Sequence, residues 1–245
     1  MKVVIYGANG VMGPHVIKAL QGEHELRLSD INELEGSSHE YRKVDASDLD
    51  QVVDAAKGMD AIVNLSVLRG DRRLAFDVSA RGCYNVMTAA VTHGIDRVIN
   101  TGPHFTVAGL TYERFDYNIN PDIPPQPGTN IYALTKSLGL EISRVFTEVH
   151  DIYVMMLLYY HFADRRFDTS SNGKDPTYYA VTWSDCGESI RSALSVDFEK
   201  LPSRCEVFFI SADIPHQKFS NEKAKRILGW QPTDKLSRYW SKAGK

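Results

Sequence analysis

The chain enters its first element through Val3-Val4-Ile5-Tyr6, a β-branched run the length of one strand. It passes directly into Gly7-Ala8-Asn9-Gly10-Val11-Met12-Gly13, after which Val16, Ile17, Ala19 and Leu20 resume at helical spacing. A strand that ends in spaced glycines and restarts as a helix has few packing solutions. Glycines there let the backbone turn tightly, admit a pyrophosphate, and bring the helix close onto the strand. The helix start then offers free N–H groups and a positive dipole end to phosphates. The spacing is GxxGxxG, one residue wider at its start than the commoner GxGxxG. Its position after the very first strand predicts a dinucleotide site.

The rest of the chain repeats the alternation. Glu25 to Leu28 reads as a second strand ending at Ser29-Asp30, and Tyr41 to Val44 as a third running into Asp45. Leu49, Val52, Val53 and Ala56 form an amphipathic stripe closing near Gly58, and Ala61 to Leu65 reads as a fully apolar fourth strand. A long helix is expected from Arg73 to His93, closed by Gly94, then a strand from Arg97 to Asn100. Near-continuous hydrophobic strands alternating with helices predict an α/β fold: a Rossmann-like, doubly wound parallel sheet buried on both faces. Residues 102–129 hold five of the ten prolines and little periodicity, so a long functional loop is expected there. A helix over Asn130 to Val149 and a strand over Ile152 to Leu158 follow. Beyond about residue 160 the alternation breaks down. We therefore read 1–160 as the nucleotide-binding domain and 161–245 as a smaller substrate-covering lobe packed on it.

Composition narrows the partners. A chain of 245 residues, 43% hydrophobic, can bury roughly 70–75% of its extended surface, so its core needs no metal or disulfide staple. With 28 basic against 31 acidic residues it lacks the basic stripe of a nucleic-acid groove. Its longest apolar run, Ile152 to Tyr160, is too short for a bilayer. Cys83, Cys186 and Cys205 lack zinc or redox spacing, and the eight histidines never fall at HxxxH spacing, so no metal is expected. Met1-Lys2 runs straight into the first strand without a leader-like region. A cytoplasmic protein with reduced thiols is the expectation.

In open α/β sheets ligands bind outside the carboxyl ends of the strands. Asp30, at the end of the second strand, suits the adenosine ribose hydroxyls and repels a 2′-phosphate, favouring NAD over NADP; the plainer reading is a strand-end turn. Asp45, after the third strand, is a candidate for the adenine amino group or an ordinary helix-cap residue. With Ile31, Ala46 and Leu65 they join Gly7, Asn9, Gly10, Val11, Met12 and Gly13 as candidate cofactor residues. Tyr132 is the only one of twelve tyrosines with a lysine four residues later, Lys136. The pair shares one face of a helix. A phenol of ordinary pKa about 10 beside an ammonium can shuttle a proton to or from a sugar hydroxyl near neutral pH. The plainer reading is an exposed helical pair.

GxxGxxG, an acidic second-strand end and Tyr132-Ala133-Leu134-Thr135-Lys136 together resemble the extended short-chain dehydrogenase/reductase superfamily, which holds sugar-nucleotide epimerases and dehydratases. Leu228-Gly229-Trp230-Gln231-Pro232 is similar to its terminal LGW-x-P segment. The Pro103-His104 turn, Asp164-Arg165-Arg166 and Thr182-Trp183-Ser184-Asp185 most resemble the uronate dehydrogenases, which oxidise a free hexuronic acid to a lactone with NAD. The resemblance implies substrate contacts from His104 and Arg165, a cofactor-ribose bond from Lys136, and a homodimer through the helices 73–93 and 130–149. It also exposes departures. The usual catalytic serine falls on Gly102, leaving Thr101 or His104 to supply its hydrogen bond; a relay asparagine falls on Ser79, and a strand-end arginine on Leu158. Two functions follow: an NAD-dependent oxidoreductase or epimerase of a sugar or sugar acid, with Tyr132, Lys136 and Thr101 catalytic, or a redox-silent NAD-binding sensor.

Overall fold

The computed structural model describes all residues except 35, 69, 164–171, 176 and 242–245. Its strands are β1 (Lys2–Tyr6), β2 (Glu25–Asp30), β3 (Glu40–Lys43), β4 (Ala61–Asn64), β5 (Arg97–Pro103), β6 (Tyr153–Tyr159), β7 (His161–Ala163), β8 (Ala180–Thr182) and β9 (Cys205–Phe209). Seven of them form one parallel sheet in the order β3-β2-β1-β4-β5-β6-β9, while β7 and β8 pair separately. The order reverses between β1 and β4, which opens the crevice where such sheets take ligands.

Alternation along β1 explains why both faces must be covered. Val3 and Ile5 enter one core with Val16 and Leu20 of α1 (Gly13–Leu20) and with Ile190 and Leu194 of α7 (Trp183–Ser195). Val4 and Tyr6 enter the other, with Val52 and Ala55 of α2 (Leu49–Ala56) and with Val86, Met87 and Ala90 of α4 (Gly82–His93). The Tyr6 hydroxyl donates to the Val52 carbonyl at 2.6 Å, satisfying the one polar atom it buries. Residues beyond 160 share the first core: Phe208, Ile210, Ile227 and Trp230 pack with the β1 side chains. Trp230 donates to the Asp185 carbonyl at 3.0 Å, and Thr233 bonds the Asp185 carboxylate through both N–H and hydroxyl, stitching the tail to α7.

Three sequence expectations change. The single helix expected over Arg73 to His93 is α3 (Arg72–Phe76), a π-helical turn (Asp77–Arg81) and α4. The stretch 102–129 is not wholly irregular: β5 runs on to Pro103, a 3-10 turn spans His104–Thr106, and α5 (Leu110–Phe115) follows. α5 buries none of its residues, so it carries no apolar stripe that could announce it. Beyond residue 160, where the alternation breaks down, β7 and β8 are two short strands that the sequence reading does not mark. The helix α6 (Ile131–Val149) starts at Asn130, whose side chain accepts from the Tyr132 and Ala133 N–H groups at 3.0 and 3.2 Å. Among the described residues no helix is long and apolar enough to cross a membrane. Nor do they group three or more metal-ligating side chains.

Candidate active site

The first glycine turn is built for close approach. Gly7 sits at φ 77°, and a Cβ on it would lie 2.8 Å from the Ser66 nitrogen. A Cβ on Gly13 would fall 1.8 Å from the Ala8 carbonyl oxygen, so the helix start touches the backbone of the turn there. Gly10 is open except toward the Gly7 carbonyl. Met12 caps α1 without a side-chain bond, and the first helical turn carries no acid. The Gly13 and His15 N–H groups donate to the Gly10 and Met12 carbonyls and Pro14 has none, so an anion here would meet the glycine turn and the positive end of the helix dipole.

A cavity of about 230 Å³ opens at this turn. Gly7, Asn9 and Gly10 line it, with Asp30 and Ile31 from the end of β2, Asp45 and Ala46 after β3, and Leu65 after β4. Val11, Met12 and Gly13 are not among its lining residues; Val11 is exposed and Met12 packs on the core. Asn32, Ser66, Val67, Leu68 and Val78 also line it, and sequence reasoning missed them. Their signal was positional only: most follow directly on strand ends. The Asp30 carboxylate accepts from the Asn9 and Asn32 N–H groups, both at 3.0 Å, so it is held at the rim. Asp45 Oδ1 accepts from the Ser47 N–H and hydroxyl, as a turn residue does.

The chemical end adjoins this cavity. Lys136 is buried and donates to the Ser66 carbonyl at 2.9 Å, reaching from α6 to the cavity wall. Tyr132, one turn earlier on α6, is half-buried, its ring edge-on to Phe105 with centroids 5.9 Å apart. Thr101 donates to the Asn64 carbonyl at 3.0 Å. Alternation along β5 sends Asn100 and Gly102 toward α6 and Thr101 to the opposite face. A Cβ on Gly102 would stand 2.8 Å from Thr106 Oγ1 and 3.7 Å from Lys136 Cβ. The hydroxyl beside that space is thus Thr106's, fully buried and without a hydrogen-bond partner among the described residues. Sequence reasoning did not find Thr106. Ser79 lies in the π-helical turn with its hydroxyl buried and, among the described residues, without a hydrogen-bond partner, and Leu158 is buried beside Gly102.

A larger cavity, about 1030 Å³, lies alongside the start of α6. His104, Phe105, Glu113, Asn130, Tyr160 and Tyr179 contribute to it. His104 stacks on Tyr179 at 4.8 Å, and its Nε2 lies 2.5 Å from the Glu113 carboxylate. Burial pushes this imidazole below its ordinary pKa, and Glu113 pulls against that shift. Arg165 falls outside the described residues.

A family model for the NAD dependent epimerase/dehydratase family matches residues 3–180. The chain belongs to that family. NAD is the cofactor this family carries, and the glycine cradle with its rim carboxylate fits it. No curated protein matches the sequence. Among solved structures, uronate dehydrogenase from Agrobacterium tumefaciens is similar at TM-score 0.78 and 20% identity, covering 95% of this chain and 84% of that one. Glucuronic acid dehydrogenase from Chromohalobacter salexigens gives 0.77 and 20%, covering 98% and 85%. MoeE5, solved with UDP-glucuronic acid and NAD, gives 0.76 and 16%, covering 97% and 96%. At these identities the likeness is one of fold. On the expectation that Asp30 faces the adenosine ribose, Asp30→Ala should cut the preference for NADH over NADPH about tenfold, the worth of one bond to a charged group. Parallel fluorescence titrations with the two reduced cofactors measure it, and an unchanged ratio removes the role of Asp30.

Proposed function

We propose that the protein oxidises a hydroxyl of a sugar or sugar acid at the expense of NAD, with Tyr132 as general base. When bound, NAD supplies a hydride acceptor at the nicotinamide. Tyr132 takes the hydroxyl proton as the hydride leaves the same carbon, and Lys136 one turn on places its positive charge beside that face while reaching the cofactor ribose. The observation supporting this reading is that α6 connects the two cavities: Asn130, its cap, lines the larger one, and Lys136 bonds the Ser66 carbonyl in the wall of the smaller. The larger cavity offers aromatic faces suited to a sugar ring and the His104–Glu113 pair suited to its hydroxyls. Arg165 would meet the carboxylate of a sugar acid.

The test is to mix the protein with NAD and a panel of free uronic acids, neutral sugars and nucleotide sugars, following reduced nicotinamide. A signal with one class establishes a dehydrogenase and names its substrate. Silence across the panel with NAD binding verified excludes net oxidation and leaves an epimerase that returns the hydride, or a sensor. The sensor reading draws on the Thr101 hydroxyl being engaged by Asn64 and on Gly102 offering no side chain.

The assembly proposed is a homodimer. Tyr84 and Val91 on α4, with Leu138, Val145 and Val149 on α6, leave exposed apolar side chains on two long neighbouring helices. Val145→Glu is expected to convert a dimer to monomer by light scattering; a wild-type monomer ends the proposal.

A further inference from the structure

Two asparagines stand where a parallel sheet would ordinarily place apolar side chains. Asn64 on β4 and Asn100 on β5 are register partners, 5% and 2% exposed. Burying amides in a sheet is costly unless each polar atom is answered. Asn64 Nδ2 donates to Asn100 Oδ1 at 3.0 Å, and Asn64 Oδ1 accepts from the Ser66 N–H at 3.1 Å. Asn100 Nδ2 donates to the Ser143 hydroxyl at 3.1 Å and approaches Cys83 Sγ at 3.6 Å. Ser143 in turn donates to the Gly139 carbonyl at 2.9 Å. The opposite amide orientation at Asn64 would set its NH₂ against the Ser66 N–H, so this direction is the one that satisfies both neighbours.

The chain of bonds closes on itself. It leaves α6 at Ser143, crosses β5 and β4, and ends at the Ser66 N–H; the carbonyl of the same residue, in the next peptide group, receives the Lys136 ammonium of the same helix at 2.9 Å. Lys136 and Ser143 are two turns apart on one face of α6. Between them, Gly139 lets α6 lie close on the π-helical turn and Cys83: a Cβ there would lie 3.0 Å from the Ser79 carbonyl.

We propose that Asn64 and Asn100 are positioning residues for Lys136. They anchor residue 66 by its N–H, and the carbonyl that this residue carries one peptide on sets where the ammonium points at the cofactor cavity. The inference rests on the proposed reading in which Lys136 serves the cofactor and Tyr132. A Leu pair has the same number of side-chain heavy atoms, but it would leave the Ser66 N–H without its acceptor, which costs stability, and Lys136 aimed at a carbonyl free to turn.

Because the asparagines act through Lys136, their effects must not add to its removal. The experiment is a double-variant cycle read by titration of the purified protein with NADH, followed by fluorescence, alongside thermal denaturation. Lys136→Ala and Asn64→Leu are each expected to weaken NADH binding about tenfold, as for one hydrogen bond to a charged group. The double variant is expected to be no weaker than Lys136→Ala alone. Effects that multiply to about a hundredfold would show that Asn64 acts independently of Lys136 and overturn the proposal while leaving the proposed function intact. If Lys136→Ala leaves both NADH binding and turnover unchanged, the reading beneath it fails as well. Should Asn64→Leu not fold, Asn100→Leu and the milder Ser143→Ala carry the same cycle with the same two outcomes.

Discussion

Tyr132→Phe is expected to lower turnover by about 10²- to 10⁴-fold, the usual worth of a positioned proton acceptor, while NAD affinity stays within about twofold. The variant removes one oxygen. Its ring keeps the edge contact with Phe105, and the N–H of residue 132 keeps its bond to the Asn130 cap. Steady-state rates on the substrate class found in the panel, with NADH titration of the same preparation, separate the two quantities. Retained turnover would remove Tyr132 as the base. Attention would then pass to His104, whose Nδ1 is buried without a hydrogen-bond partner among the described residues.

Gly13→Ala is expected to act on the fold itself. The new methyl would stand 1.8 Å from the Ala8 carbonyl oxygen and 2.6 Å from its carbon, both backbone atoms of the turn. Nothing flexible can yield, so α1 must lift from the sheet, at a cost of about 3 kcal/mol or more. Lifting the helix also displaces the glycine turn that lines the smaller cavity, so NADH binding falls with stability. Gly10→Ala is the informative contrast, because its methyl meets only the Gly7 carbonyl at 3.2 Å. It is expected to keep the melting temperature within a few degrees while weakening NADH binding about tenfold or more. Melting curves and NADH titrations on both variants check this; equal stability losses would mean the two glycines share one role.

Those glycines also show why part of the site can be read from the sequence. Close backbone approach has almost one residue solution, so Gly7, Gly10 and Gly13 announce their turn, and Asp30 announces the rim by its place after the second strand. Lys136 was legible because a helix turns its period into a shared face with Tyr132. Other parts leave no such trace. Asn64 was absorbed into an apolar strand because one amide does not break a strand pattern, and its partner Asn100 is 36 residues away. Glu113 meets His104 only because a 3-10 turn and α5 fold back on each other. The π-helical turn within the 73–93 helix shifts hydrogen bonds without changing composition. Thr106 is set beside Gly102 by the same 3-10 turn.

The Gly102–Thr106 contact constrains the order in which this protein could change. A serine placed at 102 by a single substitution would bring its Cβ to 2.8 Å from the threonine oxygen, so that step forces the Thr106 side chain to turn away. Shrinking residue 106 first opens the space and removes that strain. The two hydroxyl positions are therefore coupled through one small volume, and a lineage that moves the hydroxyl from 106 to 102 either turns a buried threonine or passes through a site that carries neither group.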